Sequence, residues 1–70
     1  MRLSTRNQLA GVVTEVTHGS VMSTVKVEIT GGDVITASIT LEAAQELGLA
    51  TGKRVTVLVK STEVMLGVED

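Results

Sequence analysis

The sequence has no cysteine and a single histidine. Without thiolates there is neither a disulfide nor a cysteine-based zinc framework, and one imidazole cannot build the common histidine-based ones. Phenylalanine, tyrosine and tryptophan are also absent. The core must therefore be assembled from Val, Ile, Leu, Met and Ala, and the aromatic platforms that hold single-stranded nucleic acid are missing. There is no basic run either. Six Lys and Arg against eight Asp and Glu leave a net charge of −2, which argues against nucleic acid or any partner held by bulk positive field. No apolar segment approaches the length of a membrane span. Met1-Arg2-Leu3-Ser4 is not followed by a signal-type apolar run, so the expected location is the cytoplasm.

Seventy residues make one domain, residues 1–70, and a chain this short buries only a small fraction of its surface. Yet 43% of its residues are hydrophobic and its mean hydropathy is +0.35. That is high for a protein that must keep a wet surface, and it points to apolar surface shared between subunits.

Leu9 to Thr17 is rich in Val and Thr and predicts a first strand, with Gly11 marking a bulge or a close backbone approach. Apolar residues fall on both parities there, Leu9 and Val13 on one, Ala10, Val12 and Val16 on the other, so the strand is expected to be covered on both faces. After the turn at His18-Gly19-Ser20, Val21 to Thr30 alternates cleanly. Val21, Ser23, Val25, Val27 and Ile29 share one side, and Met22, Thr24, Lys26, Glu28 and Thr30 the other. Gly31-Gly32-Asp33 closes a hairpin onto a third strand, Val34 to Ile39. Thr40 then reads as the N-cap of a short helix, Leu41 to Leu47, stopped by Gly48, with Leu41, Ala43, Ala44 and Leu47 as its apolar stripe. Arg54 to Lys60 predicts a fourth strand and Glu63 to Val68 a fifth, followed by an acidic tail, Glu69-Asp70, expected to fray. Five strands with one short helix between the third and fourth is the element order of an all-β, OB-like Greek-key barrel.

Ser4-Thr5-Arg6-Asn7-Gln8 is a cluster of five hydrogen-bond donors with no negative charge, directly ahead of the first strand. The planar fork of Arg6 suits an oxyanion, and the Ser4 and Thr5 hydroxyls and local N–H groups can point the same way. Val59-Lys60-Ser61-Thr62, at the end of the fourth strand, repeats that chemistry with Lys in place of Arg. Two such clusters brought together would surround a tetrahedral dianion. The opposing reading makes residues 4–8 a solvated leader and Lys60 a surface lysine that deters edge-to-edge pairing, in a structural or adaptor module that binds no ligand. Catalysis finds little support. His18 reads as an exposed loop histidine without a carboxylate or nucleophile beside it, there is no nucleophile motif, and Glu15, Glu28, Glu42, Glu46 and Glu63 are too scattered for a hard-cation site.

Ser4-Thr5-Arg6-Asn7-Gln8-Leu9, Gly11, Val13, Gly31-Gly32, Glu46-Leu47-Gly48-Leu49, Gly52 and Val59-Lys60-Ser61-Thr62-Glu63-Val64-Met65 together resemble the molbindins, single-Mop-domain molybdate-binding proteins. The resemblance runs over essentially the whole chain. It implies an OB-like barrel assembled as a homohexamer, a trimer of dimers, that holds molybdate or tungstate at subunit interfaces. The implied role is intracellular molybdenum storage and homeostasis, not catalysis, with the oxyanion as ligand and no cofactor. Nothing in the chain encodes a helix-turn-helix or a nucleotide-binding loop, so it is expected to be the module alone. Ser4, Arg6, Lys60 and Ser61 match the family's main oxyanion positions. Thr5 stands where the family often has Ala and contributes its backbone N–H. The resemblance places a second kind of site on the His18-Gly19-Ser20-Val21 turn, with backbone N–H groups as donors, and adds Ser38 to the first kind.

Overall fold

The structure is a computed structural model and describes residues 1–69; Asp70, the last residue of the acidic tail expected to fray, lies outside the described residues. Four strands, β1 (Asn7–His18), β2 (Met22–Ile29), β3 (Val34–Thr40) and β4 (Arg54–Val59), form one antiparallel sheet in the order β3-β2-β1-β4. A single helix, α1 (Leu41–Glu46), leads from β3 at one edge of the sheet to β4 at the other, and a 3₁₀ turn, Ser61–Glu63, follows β4.

From Met22 on, the alternation in β2 works as its pattern implies, whereas Val21, expected on the inward side, lies in the turn ahead of the strand and is 69% exposed. Ser23, Val25 and Val27 are buried and Ile29 is half-buried, while Met22, Thr24 and Glu28 face outward. In β1 part of the two-parity pattern comes from a bulge, while Leu9 and Val12, ahead of it, stay 37% and 40% exposed in the single chain. The β1–β2 register slips by one residue at Thr14, between the pairs Val13↔Val27 and Glu15↔Lys26. This bulge switches the strand's parity, so Val13 and Val16, three apart, both reach the core. Two of its polar groups find partners there: Thr14 Oγ1 donates to Lys26 O (3.3 Å) and Thr14 O accepts from Thr51 Oγ1 (3.3 Å). Gly11 marks the close approach instead of the bulge. A Cβ there would stand 2.5 Å from Val27 Cγ1 and 2.9 Å from Glu28 O.

The β2–β3 hairpin turns through Gly31 and Gly32, at φ +103° and +96°, a conformation open to glycine at no steric penalty. Thr40 caps α1 as its sequence suggests, its hydroxyl accepting from Ala43 N at 3.1 Å. The helix stops one residue early. Leu47 is the C-cap and is 59% exposed, so it leaves the apolar stripe, and Leu49, beyond the αL turn at Gly48, packs on the core in its place. The Lys53 ammonium donates to Leu47 O at 2.7 Å and neutralises the carbonyl end of the helix.

The fifth strand is not formed, and in place of the expected five-stranded OB-like barrel the chain forms a four-stranded curled sheet. After the 3₁₀ turn, Val64 to Glu69 forms no strand and pairs with none of the four strands of the sheet. Met65 and Leu66 are 91% and 94% exposed, and Val68 is similarly bare. The radius of gyration, 13.0 Å, exceeds the roughly 11 Å of a closed globule of this length. The accessible surface, 5599 Å², compares with about 4,200 Å² for a compact monomer of this mass. The core itself is small, built on Val13, Val25 and Val27, with Ala44 buried under the helix.

Candidate functional site

The decisive feature is the register of β1 against β4. The ladder runs from Val12↔Arg54 to Asn7↔Val59. The residues just beyond that last pair are Arg6, ahead of β1, and Lys60, after β4, with Thr5 next on one side and Ser61, the first residue of the 3₁₀ turn, on the other. Two donor clusters more than fifty residues apart in sequence therefore emerge side by side from the same end of the sheet. Ser4, Arg6, Lys60 and Ser61 are all exposed and Thr5 is half-buried. The hydrogen bonds among the described residues do not engage the Arg6 or Lys60 side chains. Two cations with free donors at one sheet end form a local positive spot on a chain of negative net charge.

Two neighbours hold this end together. Asn7 Nδ2 donates across the ladder to Val59 O at 3.1 Å, tying the start of β1 to the residue before Lys60. Gln8 Nε2 donates back to Thr5 O at 2.8 Å, tying the segment ahead of β1 to the strand's second residue. The donor-rich pentapeptide already contained both residues. Their role as struts was not legible, because it depends on a partner strand and a turn that the sequence does not display.

The other residues singled out lie elsewhere. The His18-Gly19-Ser20-Val21 turn is at the far end of β1, roughly 35 Å along the strand. It is tight: Gly19 N donates to Met22 O at 2.8 Å, a Cβ on Gly19 would stand 2.9 Å from that oxygen, and Val21 O accepts from Leu41 N at 2.8 Å. His18 is exposed as expected, but its ring is not free. Nδ1 lies 2.7 Å from the Oγ of buried Ser23. Ser20 and Val21, with Thr40, Leu41, Glu42 and Gln45, line a shallow depression between this turn and the start of α1. Ser38 is exposed on edge strand β3, in register with Thr24, which pairs with Thr17. Within one chain the β1–β4 register thus brings the segments that carry Thr5 and Arg6 and that carry Lys60 and Ser61 to one sheet end, and keeps Ser38 and the His18 turn apart from them.

Among the described residues there is no cluster of three or more His, Asp or Glu able to hold a metal cation, and no helix long and apolar enough to cross a membrane. What this sheet end offers chemically is directed N–H and O–H donors with two positive charges, the set that suits a small oxyanion.

An antiparallel β module with a donor-lined ladder end is the class that the fold and this geometry define. The chain belongs to the TOBE domain family, whose model matches residues 3–66, and its relatives there are the molbindin-like Mop proteins. A probable molybdenum-pterin-binding protein of Haemophilus influenzae is 44% identical over 69 residues, covering 99% of this chain and all of the relative. Among solved structures, MopII from Clostridium pasteurianum superposes with a TM-score of 0.91 at 43% identity, covering 96% of this chain and all of that one. A molybdate-binding protein from Sporomusa ovata does so with a TM-score of 0.90 at 35% identity, covering 97% of this chain and all of the other.

Proposed function

We propose that this chain binds molybdate, and tungstate with it, between copies of itself, and that it serves intracellular molybdenum storage and homeostasis in the cytoplasm. The observation that carries this reading is the β1–β4 register, whose last pair, Asn7↔Val59, leaves Arg6 and Lys60 as the next residues of each strand at the same sheet end, with no hydrogen bond among the described residues to either side chain. Relatives named for binding molybdate or molybdenum-pterin support it.

A dianion taken from water must meet a donor at each oxygen or its desolvation is not repaid. Arg6 and Lys60 supply charge, and Ser4, Ser61 and backbone N–H groups at Thr5 supply direction. Molybdate and tungstate are nearly equal in size and charge, so this set does not separate them. Sulfate is smaller and spans such a pocket poorly.

One chain supplies only part of an enclosure, because its donor pairs stand open to solvent. We assign the rest to neighbouring copies in a homohexamer, a trimer of dimers. Ser38 would then reach the main site from another subunit, and the His18-Gly19-Ser20-Val21 turn would form a second kind of site with its own copies. The excess accessible surface and the bare Met65, Leu66 and Val68 favour such an assembly, in which the tail of one copy adds to the sheet of another as its missing strand.

Because the ligand joins copies, it stabilises the assembled state by mass action. Molybdate is expected to raise the thermal midpoint far more than sulfate at the same concentration, and native mass spectrometry to show the oxyanion retained on an oligomer. Equal shifts for the two anions would leave a ligand-free oligomerisation module as the better description.

A further inference from the structure

The outer face of the sheet carries a row of side chains that complements itself. Val12 pairs with Glu28 of β2 on one side and with Arg54 of β4 on the other, so all three project from the same face, with the two charges flanking the valine. Strand spacing puts those flanking strands about 10 Å apart. The next row along β1 repeats the arrangement with hydroxyls: Ala10 lies between Thr56, its partner on β4, and Thr30, whose N–H donates to Ala10 O at 3.3 Å. All six residues are exposed and line one shallow groove. No side-chain hydrogen bond among the described residues engages Glu28 or Arg54, and Val12 between them is 40% exposed.

We propose that this face packs on the same face of a second copy, about a two-fold axis that runs along β1. A face laid on itself is isologous, and the direction of the axis decides what meets. With the axis along β1, β1 lies over β1 and the flanks exchange. Glu28 of each copy then meets Arg54 of the other, Thr30 meets Thr56, and Ala10 and Val12 meet their own counterparts at the centre. An axis across the strands would instead stack Glu28 on Glu28 and Arg54 on Arg54. The charge pattern selects the first, which also keeps the strands of the two sheets nearly parallel, as aligned sheet packing requires. Facing sheets stand about 10 Å apart, a gap that a glutamate and an arginine reaching toward each other span. The inference rests on the reading that copies assemble and is independent of the oxyanion. It uses the face of the sheet and leaves the edges, β3 and β4, free for the tail of another copy.

The test is charge exchange on the full chain: wild type, Glu28→Arg, Arg54→Glu and an equimolar mixture of the two variants, compared by sedimentation velocity and native mass spectrometry. Both residues are exposed, so the variants are expected to fold; circular dichroism and the thermal midpoint check this. Either variant alone sets like charges over each other in both pairs, and the concentration needed for its assembly should rise by about tenfold or more. In the mixture, a copy of one kind over a copy of the other restores both opposite-charge pairs, and species of wild-type size should return. An attraction between Glu28 and Arg54 within one chain would give no such rescue. Variants that assemble like wild type, or a mixture no larger than its separate components, would overturn the inference, as would wild type that stays monomeric. Calorimetric titration of wild type with molybdate is read alongside. Binding with a failed exchange leaves the oxyanion reading standing, and a successful exchange without binding removes that reading alone.

Discussion

Replacing Lys60 with alanine separates the part of the sheet end that serves the ligand from the part that serves the fold. Lys60 lies one residue beyond the Asn7↔Val59 pair, as Arg6 does ahead of β1, and both side chains are exposed. Even like charges facing each other on neighbouring strands are destabilising by at most about 1 kcal/mol, and solvent screens an exposed pair well below that. The ligand-free variant should therefore melt at the wild-type temperature or a few degrees above it. A hydrogen bond to a charged group contributes about 1.5–3 kcal/mol, so losing the ammonium should weaken molybdate binding about 10- to 150-fold. At a ligand concentration 1,000 times the wild-type Kd, the stabilisation per site is about 4.1 kcal/mol, and a variant weakened 100-fold keeps about 1.4 kcal/mol. Differential scanning fluorimetry with and without molybdate reads both arms, and native mass spectrometry should show the assembly intact. A ligand-free midpoint that drops by more than about 4 °C, or collapse to monomers, would make Lys60 a structural residue. An unreduced molybdate shift would refute its role in binding.

Gly11→Ala should destabilise the sheet by about 1–3 kcal/mol, since the new methyl meets Val27 Cγ1 and Glu28 O with no side-chain end free to yield; urea unfolding measures it, and a neutral result would disprove the close approach. Thr40→Ala removes the hydroxyl that caps Ala43 N and should lower stability by about 1 kcal/mol, a smaller midpoint shift in the same melting assay. Deleting residues 64–70 takes away the bare Val64, Met65, Leu66 and Val68, and sedimentation should show a smaller species; an unchanged oligomer would show that the tail plays no part in assembly.

How much of this was legible in the sequence depends on the range of the interaction involved. From Met22 on, β2 could be read outright, because alternation is local and the strand has one buried face. The Thr40 cap and the Gly31-Gly32 turn were equally plain, each being decided within four residues. β1 misled because its apolar residues change parity at Thr14, and a bulge leaves no mark in composition: Val13 and Val16 look like opposite faces until the register is known. Leu47 and Leu49 exchanged roles because the αL turn at Gly48 redirects the chain between them. Val64 to Val68 has the composition of a strand, but a strand also needs a partner, and the curled sheet offers this segment none within its own chain. The two donor clusters could be noticed separately, as one chemistry written twice. Their juxtaposition follows only from the β1–β4 register, which spans more than fifty residues of sequence.

The most direct test is anomalous diffraction at the molybdenum edge from crystals grown with molybdate. Metal peaks are expected between subunits, with the Arg6 guanidinium and Lys60 ammonium within hydrogen-bond distance of the oxyanion. Crystals that show no metal peak at residues 4–6 and 60–61, whether or not peaks stand elsewhere, would contradict the assignment.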